Sequence, residues 1–333
     1  MTYQTKEPHE PAQAQYDVVI VGGAAAGLSA GLALSRARRK VAVVDSGEPR
    51  NAAAGHVHNY LGREGAAPGE LYAVGRDEVR SYGGIILEGQ AQNVERAGDG
   101  TFRVFLQDGT VLACRRVLAA SGALDELPEI PGLARYWGTD VLHCPYCHGW
   151  EAAGKTLGVL ATDLDTAVHQ ALMWRQWCED VVLFLNAAGE PDSEQSIQLA
   201  ARGIRVVEGA VAAVEGDAGL AGVRLGSGDF VSRQALVVLT RLRARADYLA
   251  GVGLAAEEQH FGDLAVGTAV PADSSGVTSV PGVFAAGNLT SPMTQVIGAA
   301  SAGLAAATAI NAELIAEDTA AAVAAQRGGV LQG

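Results

Sequence analysis

The chain has 333 residues, of which 49% are hydrophobic and 42 are glycine, enough apolar material for one large or two ordinary domains. Abundant glycine with few aromatics suits the tight turns and close backbone approaches of α/β nucleotide-binding folds. Twenty-four basic against 37 acidic residues leave a formal charge of −13, which repels nucleic acid and anionic membrane surfaces.

Residues 1–15, MTYQTKEPHEPAQAQ, are polar and have no apolar core. They read as a disordered lead-in and not as a secretory signal, so a cytoplasmic location is expected. From Tyr16 to Asn51 the pattern is a buried strand (17–21), a tight turn, a helix (about 26–36) and a second strand (40–45). The turn, Gly22-Gly23-Ala24-Ala25-Ala26-Gly27, is a GxGxxG variant whose middle glycine is Ala24. Gly22 permits the sharp turn, Gly27 lets helix and strand pack closely, and small Ala24 still admits a pyrophosphate. The free N–H groups and the dipole at the helix N-terminus favour such an anion. Asp45 ends the second strand, where a carboxylate can accept both ribose hydroxyls.

HCPYCHGWE, residues 143–151, permits three readings. Cys144-Pro-Tyr-Cys147 is a dithiol core of the kind glutaredoxins carry. Cys-x-x-Cys-His is also a haem-attachment pattern, and two cysteines flanked by His143 and His148 could hold a metal. A metal site normally needs a second ligand pair; His56-x-His58 could in principle supply one, although loop histidines are more often solvated. Cys114 and Cys178 read as ordinary strand and helix residues.

Downstream, a strand (155–161) leads into Thr162-Asp-Leu-Asp-Thr-Ala167, a turn without glycine. Asp163 is placed to cap a helix over 164–178 and Asp165 suits its first turn, where both would repel a pyrophosphate. Around the next strand (181–185) no Lys or Arg occurs between Arg175 and Arg202, while Glu179, Asp180, Glu190, Asp192 and Glu194 do. Gln170, Met173, Trp174 and Trp177 fall on one helix side, as a core stripe or as the wall of a refilled cleft. The apolar run from Val296 to Ala312, rich in Ala, Gly, Ser and Thr, reads as a buried helix and not as a membrane span.

Ser121-Gly122-Ala123 after one strand, and Gly287-Asn288 before a helix starting near Thr294, resemble the ATG and GD motifs of flavin disulfide reductases. From about Tyr16 to Ala325 the chain resembles the thioredoxin reductases. The resemblance implies an α/β protein of two Rossmann-like domains. Residues 16–124 and 246–333 would bind FAD, and 125–245 would be an inserted CxxC-bearing domain degenerate for NADPH. Gly22, Gly23, Ala24, Ala26, Gly27, Asp45, Ser121, Gly122 and Gly287 would hold FAD. Asn59 would lie in a flavin-contacting loop, and Asn288 replaces the usual aspartate near the ribityl chain. Gln295 and Val296 would start a helix aimed at the pyrimidine end of the flavin. Cys147 would be the flavin-proximal sulfur and Cys144 would attack the external substrate. His148 stands where the family usually has aspartate, and a histidine can exchange a thiol proton near neutral pH; His143 is a second candidate.

CPYCHG followed by a degenerate nicotinamide domain resembles the dithiol oxidases that close disulfides in gliotoxin- and holomycin-type natural products. Their substrate is a small-molecule dithiol, and O2 accepts the electrons to give H2O2. The alternative is a reductase fed by ferredoxin or atypical NAD(P)H, with thioredoxin as a possible partner, and a flavin redox sensor comes third. The resemblance also implies a homodimer. No bound metal is expected.

Overall fold

The computed structural model describes residues 15–262 and 264–330, so the expected lead-in lies outside it except for Gln15. The run YDVVIV forms β1 (Tyr16–Val21), followed by α1 (Ala25–Arg36) and β2 (Val41–Asp45). Next come α2 (Pro68–Ser81), β3 (Ile85–Glu88), β4 (Ala91–Arg96), β5 (Phe102–Leu106) and β6 (Val111–Ala119). They build one sheet in the order β3-β2-β1-β6-β5-β4, parallel from β3 to β6 and antiparallel beyond. Side chains alternate across it. Val19 and Val21 enter one core with Val117, whereas Val18 and Ile20 face α1 in another.

The chain leaves this sheet through β7 (Ala123–Glu126). It then forms β8 (Val141–Leu142), the one-turn helix α3 (Pro145–His148), β9 (Leu157–Leu160), α4 (Leu164–Trp174) and β10 (Val181–Phe184). After α5 (Ser193–Ala201) and β11 (Arg205–Val207) comes an antiparallel trio, β12 (Val211–Glu215), β13 (Gly222–Leu225) and β14 (Phe230–Ser232). With β15 (Ala235–Val238) a second, all-parallel sheet is complete, in the order β11-β10-β9-β15-β8. β9 and β10 are buried on both faces, against α4 on one side and the antiparallel trio on the other.

The return strand β16 (Arg241–Ala244) pairs antiparallel with β7, Arg241 opposite Glu126. The chain therefore enters and leaves the second sheet through adjacent strands. β17 (Glu257–Phe261) and β18 (Leu264–Ala269) extend that pair, and β19 (Val283–Ala285) rejoins the first sheet beside β6.

The last helix, α6 (Val296–Val330), differs from expectation. It begins at Val296, where the resemblance put it, but runs far beyond Ala312 and is buried on one face only. Ala299, Ala306, Ala307, Ile310 and Leu314 enter the core behind α1, while side chains from Ile315 to Arg327 are mostly exposed. Alanine-rich sequence sustains a helix without tertiary contact, which accounts for the extension. By length and composition α6 could cross a membrane. Its acids pair with Arg39, Arg115 and Arg116 of the first sheet and its α1–β2 turn, which docks the helix on the α/β body. Both lone cysteines are buried and free; Cys114, pushed up to about 12 by burial, is inert packing.

Candidate active site

A cavity of about 950 Å3 runs from the N-terminus of α1 to the CxxC turn. It lies at the upper end of the roughly 300–1,000 Å3 typical of small-molecule sites. Gly22, Gly23, Ala24, Ala26, Asp45, Ser121 and Gly122 line it, as do Asn288, Gln295 and Val296. Gly22 sits at φ +117, and a Cβ there would collide with the Ala120 carbonyl. A Cβ on Gly27 would strike the Gly22 carbonyl, so Gly27 serves the close strand–helix approach without touching the cavity. Gly287 likewise packs against Ala26 behind the lining. The first turn of α1 has neither a side-chain cap nor an acid, which leaves its N–H groups free for an anion. Ser121 is satisfied within the protein, its Oγ donating to the Arg245 carbonyl at 2.7 Å.

Asn288 does more than replace an aspartate. Its Nδ2 donates to the carbonyls of Pro292 (2.9 Å), Thr294 (2.9 Å) and Ser291 (3.2 Å), drawing in the loop that leads to α6. A carboxylate could only accept and would face those oxygens in repulsion.

Pro145 opens α3, where its fixed φ and missing N–H are tolerated. One turn then brings Cys144 and Cys147 together with Cα atoms 5.3 Å apart, and they are disulfide-bonded. Both line the cavity together with His143 and His148. The two histidines differ in what they can do. His143 Nε2 lies 3.2 Å from Arg50 Nη2. A guanidinium only donates, so Nε2 accepts and the ring is neutral. Burial first, and then the Arg50 charge, hold His143 down at about 4. With that lone pair engaged, His143 is no free base. His148 is also lowered from the usual 6.5, by burial first, while Glu151 pulls it up and His58 pushes it down. A neutral imidazole at the disulfide is thereby favoured at neutral pH.

Arg50 is a residue that sequence patterns did not reveal. It holds Asp125 through two bonds, Nε–Oδ2 at 2.7 Å and Nη2–Oδ1 at 2.8 Å, and also donates to the Pro292 carbonyl at 3.1 Å. Thr240 Oγ1 adds a bond of 2.7 Å to Asp125. Burial alone would raise Asp125, but these bonds and the Arg50 charge outweigh it and hold the carboxyl below its ordinary 3.8. Partners 75 residues apart leave no spacing signature.

Asn59 was expected against a flavin and is a correction. Its backbone is left-handed at φ +59, its Nδ2 donates to the Tyr146 carbonyl at 2.6 Å, and it lines a different, smaller cleft. His58 supplies no metal pair with His56, because its Nδ1 meets Glu64 at 2.6 Å and its Nε2 faces Glu151 at 3.3 Å. Among the described residues no group of three or more His, Cys, Asp or Glu side chains is placed to hold a metal. The helical stripe divides: Trp174 is fully buried core, whereas Trp177 lines the small cleft. At the start of α4, Asp163 accepts from the Thr166 N–H at 2.9 Å, and Asp165 occupies the first turn.

A family model described as pyridine nucleotide-disulphide oxidoreductase matches residues 16–303. The chain belongs to this family. Within it, the chain is similar to thioredoxin reductase sirT of Leptosphaeria maculans, 31% identical over 92% of this chain and 96% of the relative. It is similar too to thioredoxin reductase tcpT of Claviceps purpurea (strain 20.1), at 32% identity over 90% and 95%. The crystal structure of HlmI has 43% sequence identity, covers 95% of this chain and 97% of that one, and superposes with a TM-score of 0.86. Like its relatives this pyridine nucleotide-disulphide oxidoreductase is an FAD flavoprotein of thiol–disulfide chemistry, with a thioredoxin reductase-like fold. The residues present fit the cofactor: the bare α1 N-terminus suits a pyrophosphate, and Asp45 lines the cavity for a ribose.

Proposed function

We propose that the protein is an FAD-dependent dithiol oxidase that closes a disulfide in a small-molecule dithiol and passes the electrons to O2. The observation that carries this reading is the contrast between two helix N-termini. That of α1 is bare beside the cavity, whereas that of α4 is capped by Asp163 and flanked by Asp165 where a nicotinamide nucleotide would place its pyrophosphate. Five acids and no cation follow between Arg175 and Arg202, against the negative charge of NADPH.

A substrate thiolate attacks Cys144, the Cys144–Cys147 bond breaks, and Cys147 leaves as a thiolate. The second substrate thiol then attacks the substrate sulfur of the mixed disulfide, releasing Cys144 and the cyclic disulfide. The substrate has lost two electrons and two protons, and the enzyme pair has gained them. His148, neutral and beside the disulfide, accepts the proton of the entering thiol. His143, with Nε2 engaged by Arg50, orients the start of the CxxC turn instead. Bound FAD supplies the oxidation of the reduced pair and the transfer of two electrons to O2, which leaves as H2O2. Residues 125–245, carried by β7 and returned by β16, are read as the inserted domain. A homodimer in the cytoplasm completes the proposal.

Anaerobic titration tests it. Dithiothreitol is expected to bleach the flavin and NADPH to leave it coloured, with air restoring the colour and yielding one H2O2 per flavin. Bleaching by NAD(P)H or reduced ferredoxin, with none by any dithiol, would overturn the oxidase in favour of a reductase.

A further inference from the structure

Beside the CxxC turn lies a second cleft of about 330 Å3, outside the cofactor cavity. Its walls are aromatic and its rim is acidic: Tyr146, Trp150 and Trp177 face Glu64 and Glu151. Pro145 and Tyr146, the two residues between the cysteines, form part of its lining, and His58 lines both this cleft and the cofactor cavity. A molecule seated here lies against the turn that carries the disulfide. We propose that this cleft is the substrate subsite, taking the non-reacting, ring-sized body of an uncharged or cationic dithiol and disfavouring anionic thiols. The assignment rests on the dithiol reading above.

The walls are built in advance of any ligand. Asn59 Nδ2 ties the 57–66 loop to the Tyr146 carbonyl at 2.6 Å, and the Asn59 N–H holds Glu64 at 2.8 Å. His58 bridges Glu64 and Glu151, at 2.6 and 3.3 Å, across the loop and the CxxC segment. Hydrogen bonds from His58 and then Asn59 keep Glu64 below its usual carboxylate value, so the rim holds its charge. Trp177 lies on the backbone of Gly149, where a Cβ would approach its ring to 2.8 Å, and stands edge-on to Tyr146 at 6.0 Å and 84°. Meanwhile Trp150 is 83% exposed and Tyr146 61% exposed. Large aromatic surface left open at the mouth of a fixed cleft marks a binding surface. The volume suits a ring system and is far too small for a protein domain.

The test uses the oxidised holoenzyme and three thiol-free cyclic disulfides that differ only at the carboxyl end: lipoate, a carboxylate, and its two neutral amides, lipoamide and lipoyl benzylamide. Calorimetry is expected to show lipoamide binding about tenfold tighter than lipoate, the size of one repelled charge near two carboxylates. The benzylamide should gain about another tenfold from the aromatic wall. Trp150→Ala is expected to remove the benzyl increment, and Glu64→Gln with Glu151→Gln to bring the lipoamide-to-lipoate ratio towards one. Equal affinities for all three ligands would overturn the subsite. So would a charge ratio that survives both carboxylate substitutions, because the net charge of −13 would then be its source. Reduced thioredoxin binding while no lipoyl ligand does would overturn the small-molecule assignment. No ligand carries a thiol, so the series is independent of flavin bleaching. Bleaching by dithiothreitol with a flat binding series removes the cleft and leaves the oxidase; the reverse pattern removes the oxidase.

Discussion

His143 and His148 each sit one residue outside the two ends of the same disulfide turn, yet their chemistry diverges through partners that the turn does not contain. Arg50 consumes the His143 lone pair, whereas His148 keeps an imidazole whose neighbours, Glu151 and His58, pull its proton affinity in opposite directions. Because burial depresses His148 below 6.5, the neutral form predominates at pH 7, and thiol attack loses its base only as pH falls below that value. The rate of flavin reduction by dithiothreitol, followed by stopped flow, should therefore decline through an inflection under pH 6.5. His148→Gln should remove that inflection and lower the plateau by about 10²–10³-fold. An unchanged profile would exclude His148 as the base. From the sequence, His148 in place of an aspartate was legible, as was the Cys144–Cys147 pair. The partner that excludes His143 was not, since Arg50 is 93 residues away. Asn59 misled for a related reason: its left-handed backbone and its bond to the Tyr146 carbonyl turn it towards the outer cleft.

Single elements were easier to read than the contacts between them. β1, α1 and β2 lie within a residue of their expected bounds, because their hydrophobic periods and glycines are local signals. The capped start of α4 was equally local, an Asp three residues before Thr166. The length of α6 was not, since alanine carries no periodic signal once the buried face ends at Leu314. What binds α6 to the body separates into two kinds. Leu314 is fully buried, and Leu314→Ala should lower unfolding stability by about 2–5 kcal/mol. Glu313, Glu317 and Asp318 reach Arg39, Arg115 and Arg116 at 2.6–2.9 Å, but their side chains are 42–48% exposed. Exposed pairs contribute only about 0.2–1 kcal/mol each and are screened by salt. Neutralising the three acids together should thus change the denaturation midpoint less than Leu314→Ala, and by an amount that shrinks at 1 M salt.

Across the whole molecule, the two sheets meet through β7 and β16, and the Arg50–Asp125 pair lies at that crossing. Arg50 comes from the loop after β2, Asp125 from β7, Thr240 from the residue before β16, and Pro292 from the loop ahead of α6. One guanidinium therefore joins the dinucleotide half, the crossing strands, the approach to α6 and, through His143, the CxxC turn. No sequence window contains these parts, which is why the two Rossmann-like sheets were legible but their junction was not. Asp125 has a side chain only 8% exposed, against 17% for Arg50, so Arg50→Ala leaves a carboxylate buried without its partner. Removing one member of a buried pair destabilises by about 3–5 kcal/mol. The pH dependence gives the cause away. In the parent, Asp125 is held below 3.8, so its contribution is present above 3.8 and is lost as pH falls through the lower folded value. In Arg50→Ala the unpaired carboxyl instead resists ionising, so the deficit is small below pH 3.8 and widens as pH rises past it. Burial still holds His143 down, but losing the Arg50 charge beside Asp125 raises it from about 4, so its protonation offsets part of the deficit at the acid end of the range. Urea midpoints of parent and Arg50→Ala should separate increasingly from about pH 3.5 to 7, with Arg50→Ala/His143→Ala falling below Arg50→Ala at the acid end, where a protonated His143 would have offset the deficit. A deficit independent of pH would mean that Arg50 acts by packing alone and that the ion pair does not hold the junction.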